Sequence, residues 1–239
     1  MAQIAEIILD GSYTYFNKDV IYSQENFKLV SIKESQSVHL YSEILSRIET
    51  GEFLKILVRY EMNAMYIPTL VRIEKSLGSK FAFEVYKIDA SAGELHYSFQ
   101  NSAMSQEFTR TFNTKHYIAT PAFATSAIFN LTKKLDINQW TPVTLISTDN
   151  DWTYDGPPKE KVVYVEVRPK EKTDYLFEKQ AVDTTILHLH ENATREADQD
   201  TPVEIILSKE HSIPYQMNFG DQKIVVKKFK KMNDDQILK

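Results

Sequence analysis

The stretch "TTILHLHENATRE" (184–196) holds residue types that often begin a metal site. His188 and His190 lie two apart, so on an extended strand both imidazoles project from one face. Two such nitrogens hold Zn²⁺ or Fe²⁺ once a third ligand arrives from a neighbouring strand. The available partners are His96, His116, His211 and Glu191. Glu191 follows His190 directly and faces the other way on a strand, and the three histidines lie in segments whose spacing forces no convergence. Leu187 and Leu189 occupy the alternate parity and are the natural core residues. The reading is therefore a histidine pair on the outward or rim side, with no stoichiometric metal and no cofactor.

The spacing of the pair resembles the start of the cupin signature, but no glycine stands six residues before His188 and the downstream glutamate and glycine are missing. The loop "TDNDWTYDG" gathers Asp149, Asp151 and Asp155, yet its glycine does not fall where a calcium-binding EF-hand loop needs it. There is no G-x-S-x-G, P-loop, dinucleotide fingerprint or H-E-x-x-H.

Titratable side chains gather elsewhere. If successive strands pair as antiparallel neighbours, one sheet face collects Arg59, Glu61, Arg72, Glu74, Glu84, Tyr86, His96 and Ser98. On a wet face these are ordinary cross-strand pairs. Inside a closed polar cavity, desolvation would tune a carboxylate for acid–base work, with Glu61, Glu74, Glu84 and His96 as candidates and Tyr86 as proton donor. The opposite face collects Val58, Tyr60, Met62, Val71, Ile73, Phe81, Phe83, Val85, Leu95, Tyr97 and Phe99. That broad aromatic and aliphatic wall is either a core or the lining of a ligand cup.

The elements that position these residues are mostly strands. Only six glycines occur in 239 residues, most of them between runs that alternate apolar and polar side chains, which is hairpin punctuation. "SVHLYSEILSRI" (37–48) fits a helix or a strand, and the turn-like "IETGEF" after it favours the strand. "FLKILVRYEMN", "PTLVRIEKS", "KFAFEVYKID", "ELHYSFQ" and "EFTRTFN" continue the meander. "PVTLIS", "KVVYVEVR", "TTILHLH", "PVEIILS" and the hairpin "IPYQMNFGDQKIVVKKF" complete it. A helix is expected over about 121–134, with Thr120 as N-cap, Pro121 at its first position and Lys133 and Lys134 in its last turn. Phe123 and Phe129 would then form a lid over the wall. Loops are expected at about 149–160 and 191–201, and the lysines of "VVKKFKK" (225–231) read as protection for an edge strand.

The composition, 42% hydrophobic and 26% charged, suits one domain over 1–239. A net charge of −5 argues against nucleic acid, which demands a positive footprint. There is no cysteine, hence no disulfide and no thiolate ligand. "MAQIAEIILDGSYTYF" lacks the basic start and long apolar run of a signal peptide, and no segment approaches a membrane span, so a cytoplasmic address is expected, or a periplasmic one where a leader precedes this sequence.

The order "GSYTYFNKDVIYSQENFKL", "YIPTLVRIEKS", "YIATPAFATSAIF" and "SIPYQMNFGDQKIVVKKF" resembles the bacterial LolA/LolB-like lipoprotein-carrier superfamily and its glycolipid-binding relatives. The resemblance implies a wide antiparallel sheet curled into an incomplete barrel, a plug, and acyl chains on the concave apolar face. It lacks the lipobox cysteine and the several plug helices of that family.

The expectation is thus a mainly β protein, a strongly curved antiparallel sheet or open barrel with one short helix on the concave face. Its leading function is binding of a lipid or other hydrophobic small molecule by Val58, Tyr60, Met62, Val71, Ile73, Phe81, Phe83, Val85, Tyr97, Phe99, Phe123 and Phe129. The alternatives are an acid–base enzyme of lipid or specialised metabolism acting on an apolar substrate, and an interaction scaffold or homodimer using a sheet edge.

Overall fold

The computed structural model describes residues 5–112, 116–131, 135–137, 139–168, 175–177, 180–182, 184–191, 202–208 and 213–231. The expected loop beyond Glu191, His211, and Lys133 and Lys134 lie outside them. The first eight strands are β1 (Ala5–Asn17), β2 (Val20–Ile32), β3 (Ser37–Arg47), β4 (Phe53–Met62), β5 (Pro68–Leu77), β6 (Lys80–Asp89), β7 (Glu94–Asn101) and β8 (Ser105–Thr111). Next come β9 (Tyr117–Ile118), β10 (Trp140–Ser147), β11 (Lys159–Arg168), β12 (Tyr175–Phe177) and β13 (Gln180–Val182). The last are β14 (Thr184–His190), β15 (Val203–Ser208), β16 (Pro214–Phe219) and β17 (Gln222–Lys231).

Among the described residues, fifteen of these form one sheet in the order β8-β7-β6-β5-β4-β3-β2-β1-β17-β16-β15-β14-β11-β10-β9, and β12 and β13 form a separate hairpin. The two edges, β8 and β9, are consecutive in sequence. The chain from Thr111 to Tyr117 spans at most about 20 Å. A flat sheet of that width would hold its edges roughly 65 Å apart. The sheet must therefore roll up. It does so as a scroll, with the β9–β10 end lying on the inner face of β4–β7. There the Ile118 N–H donates to Tyr60 Oη at 3.1 Å and Asn150 Nδ2 donates to Tyr97 Oη at 2.8 Å. At the rim Arg110 pairs with Glu160 at 3.0 Å.

The first and last strands meet in the middle of the sheet, since β1 pairs with both β2 and β17. "VVKKFKK" is therefore not an edge strand. β17 lies between β1 and β16, and its exposed Lys227, Lys228 and Lys230 are solvated charges on a paired strand. Of the two edge strands among the described residues, β8 is largely exposed on both faces.

Hairpin loops set which residues share a face, and here one expectation fails. The β5–β6 turn contains only Gly78 and Ser79, with Gly78 at φ +57°, so Leu77 pairs with Lys80. That register places Ile73 opposite Glu84 and Val71 opposite Tyr86. A two-residue loop makes odd positions on one strand share a face with even positions on the next. Phe81, Phe83 and Val85 therefore face outward beside Arg72 and Glu74, and Ala82, Glu84 and Tyr86 face inward. The four-residue turn before Glu94 returns Leu95, Tyr97 and Phe99 to the inner face.

Among the described residues of the expected 121–134 helix, 121–131, the segment forms two short 3-10 turns, Phe123–Thr125 and Ile128–Leu131. The segment crosses the rolled interior, where Ala122, Phe123, Ala124, Ala127, Ile128 and Phe129 are all buried. Tertiary packing on every side outweighs the local helical pattern. No helix among the described residues is long and apolar enough to cross a membrane.

Candidate functional site

The inner face carries most of the expected wall. Val58, Tyr60, Met62, Val71, Ile73, Tyr97 and Phe99 are buried there, with Tyr13, Phe27, Leu40 and Leu95 extending it. The segment 117–131, hereafter the plug, fills the space that the wall encloses. Phe123 stands edge-on to Tyr13 at 4.8 Å between ring centroids, and Tyr13 stacks on Phe27 at 5.0 Å. Such ring pairs add about 0.5–1.5 kcal/mol each beyond their buried area. Gly11 permits this stack, because a Cβ there would stand 2.5 Å from the Phe27 ring. The wall is thus lined as expected, less Phe81, Phe83 and Val85, and Phe123 and Phe129 lie within it as part of the plug.

The plug is held by one carboxylate that the sequence reading passed over. Glu25 on β2 is fully buried and accepts from four donors. Its Oε1 takes Ser42 Oγ at 2.7 Å and the Ala124 N–H at 3.2 Å. Its Oε2 takes the Phe123 N–H at 2.9 Å and the Tyr15 hydroxyl. The carboxylate thereby caps the first 3-10 turn, whose preceding residue Ala122 makes no side-chain cap. Burial pushes the Glu25 carboxyl above the ordinary carboxylate range, and the donors from Tyr15, Ser42 and the two amides pull against that rise. Burial pushes the Tyr15 hydroxyl far up as well. The one visible signal was that Glu25 shares strand parity with Phe27.

A second buried carboxylate fastens the scroll. Glu84 Oε2 accepts Thr148 Oγ1 at 2.6 Å, Tyr97 Oη at 2.9 Å and Tyr86 Oη at 3.1 Å. Lys75 Nζ lies 3.9 Å from its other oxygen and also donates to the Asn150 carbonyl at 3.0 Å. Thr148 and Asn150 belong to the loop after β10, so the cluster ties that end of the sheet to β5–β7. Glu84 and Tyr86 were expected on the face opposite the wall, and the two-residue turn at Gly78 is what brings them inside. Burial raises the Tyr86 and Tyr97 hydroxyls well above their ordinary range. They are permanent donors, poorly matched to giving up a proton near neutral pH.

The other acid–base candidates do not join them. Glu61 lies on the convex face between Arg59 Nε at 2.6 Å and His39 Nε2 at 3.9 Å. Glu74 is on that same face opposite Phe83. His96 is exposed, its Nδ1 3.1 Å from Thr109 Oγ1 and its Nε2 3.3 Å from Glu94. These are polar pairs along one strand or across the ladder on the convex face.

The convex face also carries a groove of about 390 Å³ across β1–β5. One side-chain row, Asp10, Lys28, Tyr41, Arg59 and Arg72, walls it on one side, and Asn26, Glu43, Leu57 and Glu74 on the other. Phe27, Ser42 and Val58, whose side chains face inward, complete its floor. Three cations and three carboxylates in these rows leave it without a dominant charge.

The histidine pair sits on the convex face, with Leu187 buried on the other side. Sequence spacing alone offers this pair no converging third ligand. The register supplies one in Glu166, directly opposite His188 across the β11–β14 ladder. The ligand atoms of Glu166, His188 and His190 all lie within 4.8 Å of one another. The pairing was hidden because β12 and β13 intervene in sequence. His116 is buried far along the chain beside Phe112 and Glu160, and Glu191 pairs with Lys161.

No protein-family model matches the chain, and no curated protein matches it in sequence. A solved structure does match in fold, a beta-barrel-like protein of the domain of unknown function DUF1849 from Brucella abortus, at a TM-score of 0.58 and 9% identity over 95% of this chain and 98% of that one. At that identity the likeness is one of architecture, and it extends over nearly the whole length of both chains; in this chain that architecture is a mainly antiparallel rolled sheet that does not close.

Proposed function

We propose that this protein binds a lipid-like or other hydrophobic small molecule inside the rolled sheet, and that the plug yields its place to the ligand. One observation carries the reading. An aromatic and aliphatic wall of β-sheet is filled by a segment that pairs with β10 only through β9 and Ala119 and continues as two short 3-10 turns, with Glu25 and Tyr60 of the wall accepting its backbone amides. A core built for stability alone would be filled by paired strands or a full helix. A plug of alanines, Phe123, Ile128 and Phe129 instead offers a ligand an apolar space at the cost of a few polar contacts. The resemblance to the LolA/LolB-like carriers supports the same reading, since it implies acyl chains on the concave face.

The second reading, an acid–base enzyme, is favoured by Glu84 and Tyr86 standing on the inner face. The contacts around them weigh against it. Three donors already occupy one oxygen of Glu84, and the tyrosines beside it are pushed away from the range in which they would exchange a proton.

Titration of the full chain with a fluorescent polyene fatty acid tests the binding reading. We expect saturable uptake of about one molecule per chain. Tyr60→Phe removes the acceptor of the Ile118 N–H, a loss of about 1–1.5 kcal/mol from the hold on the plug. It should therefore speed uptake up to about tenfold. A chain that never saturates with probe, or a Tyr60→Phe chain that takes it up no faster, would count against plug exchange.

A further inference from the structure

We infer that Glu166, His188 and His190 form a binding site for a divalent transition-metal ion of zinc's class, on the convex face and separate from the apolar interior. Two imidazoles and one carboxylate are a ligand set of borderline softness, suited to Zn²⁺, Fe²⁺, Co²⁺ or Ni²⁺ and poorly suited to Mg²⁺ or Ca²⁺, which prefer oxygen alone. Register puts the three side chains on one face by construction. Glu166 stands opposite His188, and His190 follows two residues along the same strand. In a tetrahedral zinc site with bonds near 2.0–2.2 Å, ligand atoms sit about 3.4 Å apart, so rotations of the glutamate and imidazole side chains suffice to close the present spacing.

The surroundings hold these ligands in place. The Trp140 ring lies flat on His190, 4.4 Å between centroids and 16° from parallel. Glu204 on β15 faces His188 Nε2 at 3.5 Å, and Asn218 Nδ2 fixes Glu204 from the next strand at 2.7 Å. Carboxylates and amides that orient histidines are the usual outer layer of a metal site. His188 Nδ1 is shielded from solvent and has no hydrogen-bond partner among the described residues. Glu166 is buried on what is otherwise a wet face, and it is balanced by Arg168 Nε at 3.1 Å. That guanidinium is half-exposed and free to swing outward, so an incoming dication would displace it.

The test uses the full chain, freed of metal with a chelator, and titrates Zn²⁺ against a chromophoric chelator and Co²⁺ by its visible absorption. The expected result is one ion per chain, a Co²⁺ spectrum of low coordination number, and a thermal midpoint that zinc raises. His188→Gln with His190→Gln, and separately Glu166→Gln, should weaken binding at least about 100-fold, while Arg168→Ala, which removes the competing cation, should strengthen it. Circular dichroism of the metal-free variants checks that the sheet is intact. Zinc bound no more tightly by the natural chain than by the double variant, or displaced equally well by Mg²⁺, would overturn the site.

Discussion

Glu25→Ala is expected to destabilise the protein by at least about 3 kcal/mol, because each buried donor left without an acceptor costs about 1–3 kcal/mol. Four donors would be orphaned: the Tyr15 and Ser42 hydroxyls and the Phe123 and Ala124 amides. Water entering the space offsets part of the loss, so the figure is below the sum of the four. For a chain of this length the thermal midpoint should fall by roughly 10 °C. Ser42→Ala removes a single donor and should cost about 1 kcal/mol. Glu25→Gln should rescue little, since donors approach both carboxylate oxygens and an amide presents an N–H₂ to one pair of them. Amide exchange locates the effect: the Phe123 and Ala124 N–H groups should lose protection before those of β2 and β3. A Glu25→Ala chain within 0.5 kcal/mol of the natural one would remove the latch from the account.

Glu84→Ala is the second large effect, again about 3 kcal/mol from the hydroxyls of Tyr86, Tyr97 and Thr148 and from the Lys75 ammonium. The conservative variant should behave differently here. All three hydroxyls converge on one oxygen, so Glu84→Gln keeps their acceptor by turning its carbonyl toward them, and it loses only the more distant Lys75 charge. The expected order is therefore a large loss for Ala and a loss of about 1 kcal/mol or less for Gln, measured by urea unfolding. Equal losses for the two variants would mean that the carboxylate's charge, rather than its acceptor position, fastens the scroll.

These two residues mark the limit of what the sequence makes legible. Strand period and turn residues give β3–β8, β10, β11 and β14–β17, because alternation and hairpin loops are local, whereas β1, β2 and the short β9, β12 and β13 are not legible in that way. The face assignment of β6 was also local, in the length of the turn at Gly78 and Ser79, but the apolar side chains of Phe81, Phe83 and Val85 pulled the reading to the opposite parity. The enclosure is not local. It follows from two edge strands joined by a short link, which only the whole strand order reveals. Glu25 in "SQENFK" looks like a solvated polar position until the plug amides arrive from about a hundred residues away. Glu166 in "VVYVEVR" reads as a surface charge until β14 pairs with β11 across an inserted hairpin. The helix expected at 121–134 is shortened to 3-10 turns over its described residues for the same reason, since packing inside the scroll, with Glu25 as the cap, sets that segment's conformation.

The central claim is that ligand occupies the interior now held by the plug. Photolabelling with a diazirine fatty acid, mapped to single residues by peptide mass spectrometry and competed with unlabelled fatty acid, tests it most directly. The account predicts saturable, competed adducts on the inner wall and plug, at Tyr60, Val71, Tyr97, Phe123 or Phe129. Competed adducts confined to Tyr41, Leu57 and Arg72 would place the ligand in the convex groove instead, and labelling that neither saturates nor competes would contradict the account altogether.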